Sequence, residues 1–152
     1  MDSISIAARL IAAAQTLSAD VGRLTFSPPV SHVYNPLDYA WAPHETYLHR
    51  FGNGSKQVMF LGMNPGPFGM VQCGVPFGEI AAVRDWLGID APVSKPQREN
   101  PKRPIEGFTC RRAEATVYGV CSVRASARPK PFLPSILSPI IARLLFSTRA
   151  AT

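Results

Sequence analysis

The residues with most chemical promise follow a short apolar run. Gln57-Val58-Met59-Phe60-Leu61 is bounded by the Gly52-Asn53-Gly54-Ser55 turn and by Gly62. It predicts a buried strand of the kind found in parallel sheets. Met63-Asn64-Pro65-Gly66-Pro67 comes directly after it. In open α/β sheets ligands bind beyond the carboxyl ends of the strands, so a loop shaped by prolines and glycine in that position is a candidate site. Other chemistries find less support. His32, His44 and His49 lack metal-ligand spacing, and surface or packing roles are the default for them. Cys73, Cys110 and Cys121 are odd in number and form no CxxC pair, so neither a disulfide nor a metal site is expected and the chain reads as intracellular.

The elements that would position this loop can be read on either side of it. From Ser3 to Val21, the residues Ile6, Leu10, Ile11, Ala14 and Leu17 share one face of an amphipathic helix, with Gly22 as its stop. Pro28-Pro29, Asn35-Pro36 and Ala42-Pro43 interrupt residues 26–46, which predicts an ordered loop or extended strip there. Tyr34, Tyr39 and Trp41 anchor that strip, either as a satellite hydrophobic cluster or as a wall beside a substrate. After Gly74-Val75-Pro76-Phe77-Gly78-Glu79, the residues Ile80, Val83 and Leu87 recur at helical spacing and Gly88 ends the helix. The order is strand, loop, helix. Residues 90–104 are polar and rich in proline, and predict a long exposed loop. Its Lys95, Arg98, Lys102 and Arg103 are either simply solvated or in contact with phosphate.

Composition is globular, 46% hydrophobic and 17% charged, and 15 prolines point to a loop-rich structure with few long helices. No run approaches the roughly 18 to 20 apolar residues that spanning a bilayer requires. The formal charge is +6, a sign compatible with a polyanionic partner. The charge is unevenly placed. All ten acidic residues and eleven of the sixteen basic ones lie at or before Glu114, a net of +1, and five basic residues follow without an acid. Pro129, Pro131, Pro134 and Pro139 punctuate that tail and no strand pattern emerges from it, so residues 115–152 are expected to be disordered or loosely packed.

Several words of this sequence, in order, resemble the single-strand-selective branch of the uracil-DNA glycosylase superfamily. They are Tyr34-Asn35-Pro36, Tyr39-Ala40-Trp41, the run from Phe60 to Met70, Gly74 to Glu79, Val83 to Gly88, and Pro101-Lys102-Arg103-Pro104. The similarity extends from about Leu24 to Glu114. It implies an α/β fold, the N-terminal part of a glycosylase-like α/β sandwich around a mainly parallel central sheet. That sheet would be incomplete here, with a partial domain over 1–114. The implied activity is hydrolysis of the N-glycosidic bond of uracil and oxidised uracils in single- and double-stranded DNA, single strands preferred, by a monomeric nuclear repair enzyme without a cofactor.

The resemblance also assigns roles. Asn64 matches the asparagine that orients the attacking water. Met63, Gly66, Met70 and Phe77 match residues that bind uracil, with Phe77 as the stacking aromatic. By residue type alone, Phe77 and Met70 read as core packing. Lys102 and Arg103 are candidates for DNA contact. The family's later asparagine, which reads the uracil edge, and its His-Pro-Ser motif have no counterpart, because no histidine follows His49 and no asparagine follows Asn100. The chain is therefore expected to be impaired or inactive. The alternative is a non-catalytic isoform that binds nucleic acid or a partner through its basic tail. Some members of the superfamily carry an iron–sulfur cluster, but three dispersed cysteines cannot supply the four thiolates usually needed.

Overall fold

The computed structural model describes residues 5–56, 58–110, 136–137 and 146–149. Helix α1 spans Ile6–Gly22, with the Ser5 hydroxyl accepting from the Ala8 N–H as its N-cap. A second cap comes from afar: Asn53 Oδ1 accepts the Ala7 N–H at 3.1 Å. Leu10, Ile11 and Ala14 lie against the core and Ile6 is exposed, so the expected apolar face is rotated slightly.

Residues 26–46 are more regular than their prolines suggest. Strand β1 (Val30–Tyr34) leads into α2 (Pro36–Tyr39) and then α3 (Trp41–Phe51). Proline is excluded from helix interiors because it lacks an N–H, but the first turn has no intrahelical use for that donor. Pro36 opens α2 behind Asn35, whose Oδ1 accepts the Leu37 N–H at 3.1 Å, and Pro43 sits in the first turn of α3. The Asn35 amide also donates to the carbonyl and hydroxyl of Ser18, tying α2 to α1.

Strand content is small. Strand β2 covers only Val58–Met59 and pairs in parallel with β3 (Ile136–Leu137), whereas β1 pairs antiparallel with β4 (Phe146–Arg149). The described residues are thus a mixture of helix and a little strand, in two separate two-stranded ladders, and not a central parallel sheet. The run expected to be a buried strand is instead exposed at Met59 (66%), Phe60 (43%) and Leu61 (64%). A strand is buried on both faces only when neighbouring strands and helices cover it, and among the described residues β2 has one partner, of two residues. Two strands come from the tail, where none is expected. The boundary proposed at Glu114 lies outside the described residues.

The core sits elsewhere. Tyr47, Leu48, Cys73, Val75, Val83 and Ile89 form its largest cluster, under α1 and α3. Tyr34, Tyr39, Ala40, Val71 and Ile105 form a second, so Tyr34 and Tyr39 belong to a hydrophobic cluster. The Tyr39 hydroxyl donates to the Val71 carbonyl at 2.7 Å, and burial, reinforced by Tyr34, pushes its phenol pKa far up. The expected helix after Glu79 is a wide π-helical turn over Ala82–Trp86, closed by the Leu87 N–H on the Ala82 carbonyl. Glu79 caps it by accepting the Ala81 and Ala82 N–H groups. Arg50 of α3 closes the other end on the Leu87 and Gly88 carbonyls.

Candidate active site

The loop after β2 projects its chemistry outward. Met63 is 80% exposed, and Asn64 is exposed with its Nδ2 donating only to the next carbonyl, Pro65 O, at 3.2 Å. From Pro65 the chain turns inward. The Gly66 carbonyl accepts the Gly69 and Val71 N–H groups, at 3.3 and 3.0 Å, which starts α4 (Met70–Cys73). Met70 is only 1% exposed and packs on Leu37, with Ala14 and Leu17 beside it. Its side chain therefore anchors the loop from below.

Phe77 reaches the same loop from the far side of α4. A β-carbon placed on Gly62 would lie 3.1 Å from Phe77 Cζ, so the ring rests on the Gly62 backbone two residues before Asn64. Phe77 remains 39% exposed and holds φ at 54°. Such a conformation costs a residue with a side chain on the order of 1–3 kcal/mol and persists where the surroundings enforce it. The enforcement is visible. Pro76 and Gly78 are buried, and a β-carbon on Gly78 would meet Val83 Cγ2 at 2.7 Å and Cys73 Sγ at 2.9 Å. Met63, Asn64 and Gly66 thus lie on one loop, and Phe77 packs against the Gly62 that precedes them.

The segment from Asp90 to Pro104 is not a free loop. Ser94 N–H donates to the Tyr39 carbonyl at 2.8 Å, and Glu99 Oε1 accepts the Ile105 N–H at 2.5 Å. The Tyr34 hydroxyl donates to the Arg103 carbonyl at 3.0 Å and accepts the Asn100 N–H at 2.8 Å. A chain interrupted by prolines, which lack the N–H, cannot form a continuous ladder, and side chains satisfy several of its backbone groups instead. The result is a fixed turn on which Lys102 and Arg103 are both exposed. Lys95 pairs loosely with Glu99, 3.8 Å away.

Between this turn and the Asn64 loop lies a pocket lined by Tyr34, Pro67, Phe68, Gln72, Arg103 and Glu106, among others, with a volume of about 20 Å³. A water requires roughly 10–15 Å³ by that measure, so the pocket has room for a water and not for a nucleobase. Across the core, His44 Nδ1 lies 2.8 Å from the Gly74 carbonyl. A carbonyl can only accept, so that nitrogen carries the proton. Burial lowers the ring's pKa, and the bond to the Gly74 carbonyl opposes that in part. Among the described residues no group of three or more His, Cys, Asp or Glu could hold a metal ion. No helix among them is long and apolar enough to cross a membrane.

No protein-family model matches the chain. Individual proteins do. Over 100 residues, 66% of this chain, it is 55% identical to the single-strand selective monofunctional uracil DNA glycosylase of Mus musculus, with 36% of that protein covered. This stretch is similar to the single-strand-selective monofunctional uracil-DNA glycosylases. The glycosylases of that name from Rattus norvegicus and Bos taurus match equally, at 55% identity over 100 residues, with 36% and 37% of their lengths covered. The chain spans about a third of the length of the curated relatives it matches. Residue patterning missed one participant that the structure makes prominent, Gln72. Its partners lie in loops on either side of it in sequence, and no local spacing announces them.

Proposed function

We propose that this chain carries the water-orienting part of a uracil-excision site, from a lineage of DNA-repair glycosylases that hydrolyse the N-glycosidic bond of uracil and oxidised uracils and so begin base excision repair. The observation that carries the reading is the exposed Asn64 amide on a loop whose Gly62 lies against the Phe77 ring, within a stretch 55% identical to those glycosylases. As the bond breaks, the sugar becomes cationic and uracil leaves as an anion. An amide is a weak base, but the attacking water needs orientation more than deprotonation, because its target is already electron-poor. Asn64 is assigned that task. Phe77 supplies a face for the flipped base, Met63 and Gly66 border it, and Met70 supports the loop from the core. Lys102 and Arg103 are assigned to the phosphates, where cations are effective because they release condensed counterions. The working fold is the N-terminal part of a glycosylase-like α/β sandwich, acting as a monomer on nuclear DNA with single strands preferred.

Departure of the anion needs a donor at the uracil oxygen, and removing one such donor typically costs on the order of 10²- to 10³-fold in rate. The 152 residues hold no histidine after His49 to supply it. The purified chain is therefore expected to release no more than a trace of uracil from a single-stranded oligonucleotide while still binding it. Robust turnover abolished by Asn64→Ala would falsify the impairment but uphold the site.

A second reading rests on the tail, with five basic residues and no acid after Glu114. It makes the chain a nucleic-acid-binding isoform acting through charge. Among the described residues the three hydrophobic clusters fall between residues 7 and 110, and an isolated two-stranded ladder is marginal in water. Deleting residues 115–152 should therefore leave the thermal midpoint within a few degrees, by an estimate of roughly 1 kcal/mol at most. The same deletion should weaken nonspecific retention on DNA at low salt. A large loss of stability would instead mean that β3 and β4 are integral to the fold.

A further inference from the structure

Among the described residues the buried polar side chains are His44 and Gln72, and Gln72 alone of the two joins separate irregular segments. Its Nε2 donates to Pro67 O at 3.3 Å and to Pro104 O at 3.1 Å. Its Oε1 accepts the Glu106 and Gly107 N–H groups at 2.8 and 3.2 Å. An amide has two N–H donors and two acceptor lone pairs, and all four are used. Its own backbone is equally fixed, since α4 lies in the core with Met70, Val71 and Cys73 all buried.

We propose that Gln72 is a positioning residue for the uracil site, holding the loop that carries Asn64 in fixed register with the turn that carries Lys102 and Arg103. The inference rests on the glycosylase reading above. Phosphate contacts set where a strand lies, and the chemistry at the base needs that placement to be accurate. Gln72 touches neither strand nor base; it sets the separation between the parts that do. Only an amide serves here. Glutamate keeps the acceptors but turns an anionic oxygen toward two proline carbonyls, and leucine leaves two carbonyls and two N–H groups without partners.

The test uses the whole 152-residue chain with Gln72→Leu, Gln72→Glu and, as a stability control, Ile89→Ala in the other cluster. Amide hydrogen exchange is measured alongside affinity for a single-stranded oligonucleotide, and the affinity is also measured for the double variant Lys102→Ala/Arg103→Ala. Gln72→Leu should accelerate exchange at Gly69, Val71, Glu106 and Gly107 by about tenfold or more and lower the affinity at least about threefold. Gln72→Glu should release Gly69 and Val71 while Glu106 and Gly107 stay protected, with the same loss of affinity. Ile89→Ala should speed exchange throughout the domain and leave the affinity intact. If the Gln72 variants behave like Ile89→Ala, Gln72 is a packing residue and the proposal is overturned, with the glycosylase reading untouched. If Lys102→Ala/Arg103→Ala binds as tightly as the unsubstituted chain, the turn makes no phosphate contact, so that part of the glycosylase reading fails and the positioning role falls with it.

Discussion

Replacing Asn64 by alanine, in an active glycosylase that shares residues 24–114 with this chain, should lower uracil release on the order of 10²- to 10³-fold. Affinity for single-stranded DNA should stay within about threefold. The split follows from the side chain's position. Asn64 is exposed and its amide makes one weak local bond, to Pro65 O, so its removal opens no cavity and strands no buried partner. In the role proposed for it, what disappears is an oriented dipole beside the place where water attacks, an interaction of the transition state more than of the bound strand. Single-turnover release and equilibrium binding, measured on the same oligonucleotide, separate the two effects. Equal losses in both would make Asn64 a binding residue and remove the basis for assigning it the water.

The largest effect on stability is expected at Gly74, which ends α4 with φ at +70°. A β-carbon there would lie 2.4 Å from the Ala40 carbonyl oxygen and 3.0 Å from Ala40 Cβ, and Ala40 is fully buried. The Gly74 carbonyl is also the acceptor for His44. Gly74→Ala therefore combines the left-handed penalty of roughly 1–2 kcal/mol with backbone overpacking of roughly 1–3 kcal/mol. The sum, about 2–5 kcal/mol, is a large part of an ordinary domain's 5–15 kcal/mol. Gly54 supplies the comparison. Its φ is +81° but nothing lies within 4 Å of its would-be β-carbon, so Gly54→Ala should show the conformational penalty alone. Urea denaturation followed by circular dichroism reads both. Similar midpoints for the two variants would mean that α4 can move away from Ala40 at little cost.

What was legible in the sequence, and what was not, divides along physical lines. Periodicity found α1 because a long amphipathic helix repeats its signal over several turns. The strand-end loop was legible because Gly62, Pro65 and Pro67 mark a change in backbone freedom. The prolines of residues 28–43 misled in the other direction. Pro36 and Pro43 occupy first turns, where a missing N–H costs nothing, and the Asn35-Pro36 pair is itself a helix-start signal. Burial of the run from Gln57 to Leu61 was over-read because it depends on neighbours that an apolar run does not specify. Of the residues the resemblance singles out, Met63, Asn64 and Gly66 lie on one loop, Phe77 packs against the Gly62 before them, and Met70 is buried in the core beneath. The hydrogen bonds of Gln72, Tyr34 and Glu99 were silent because each side chain answers a backbone group exposed by irregular chain elsewhere.

The two bonds of the Tyr34 hydroxyl also set a timetable for the molecule's birth. Its acceptor, the Arg103 carbonyl, lies 69 residues downstream. At an elongation rate of about 5–20 residues per second, a ribosome needs about 3–14 s to deliver it after Tyr34 itself. Until then the tyrosine pair of the second cluster has no lid, and helices α1 to α3 can assemble only around an unfinished half. The nascent chain completes this cluster only when the turn bearing Lys102 and Arg103 emerges from the exit tunnel, which makes that turn the closing latch of cotranslational folding.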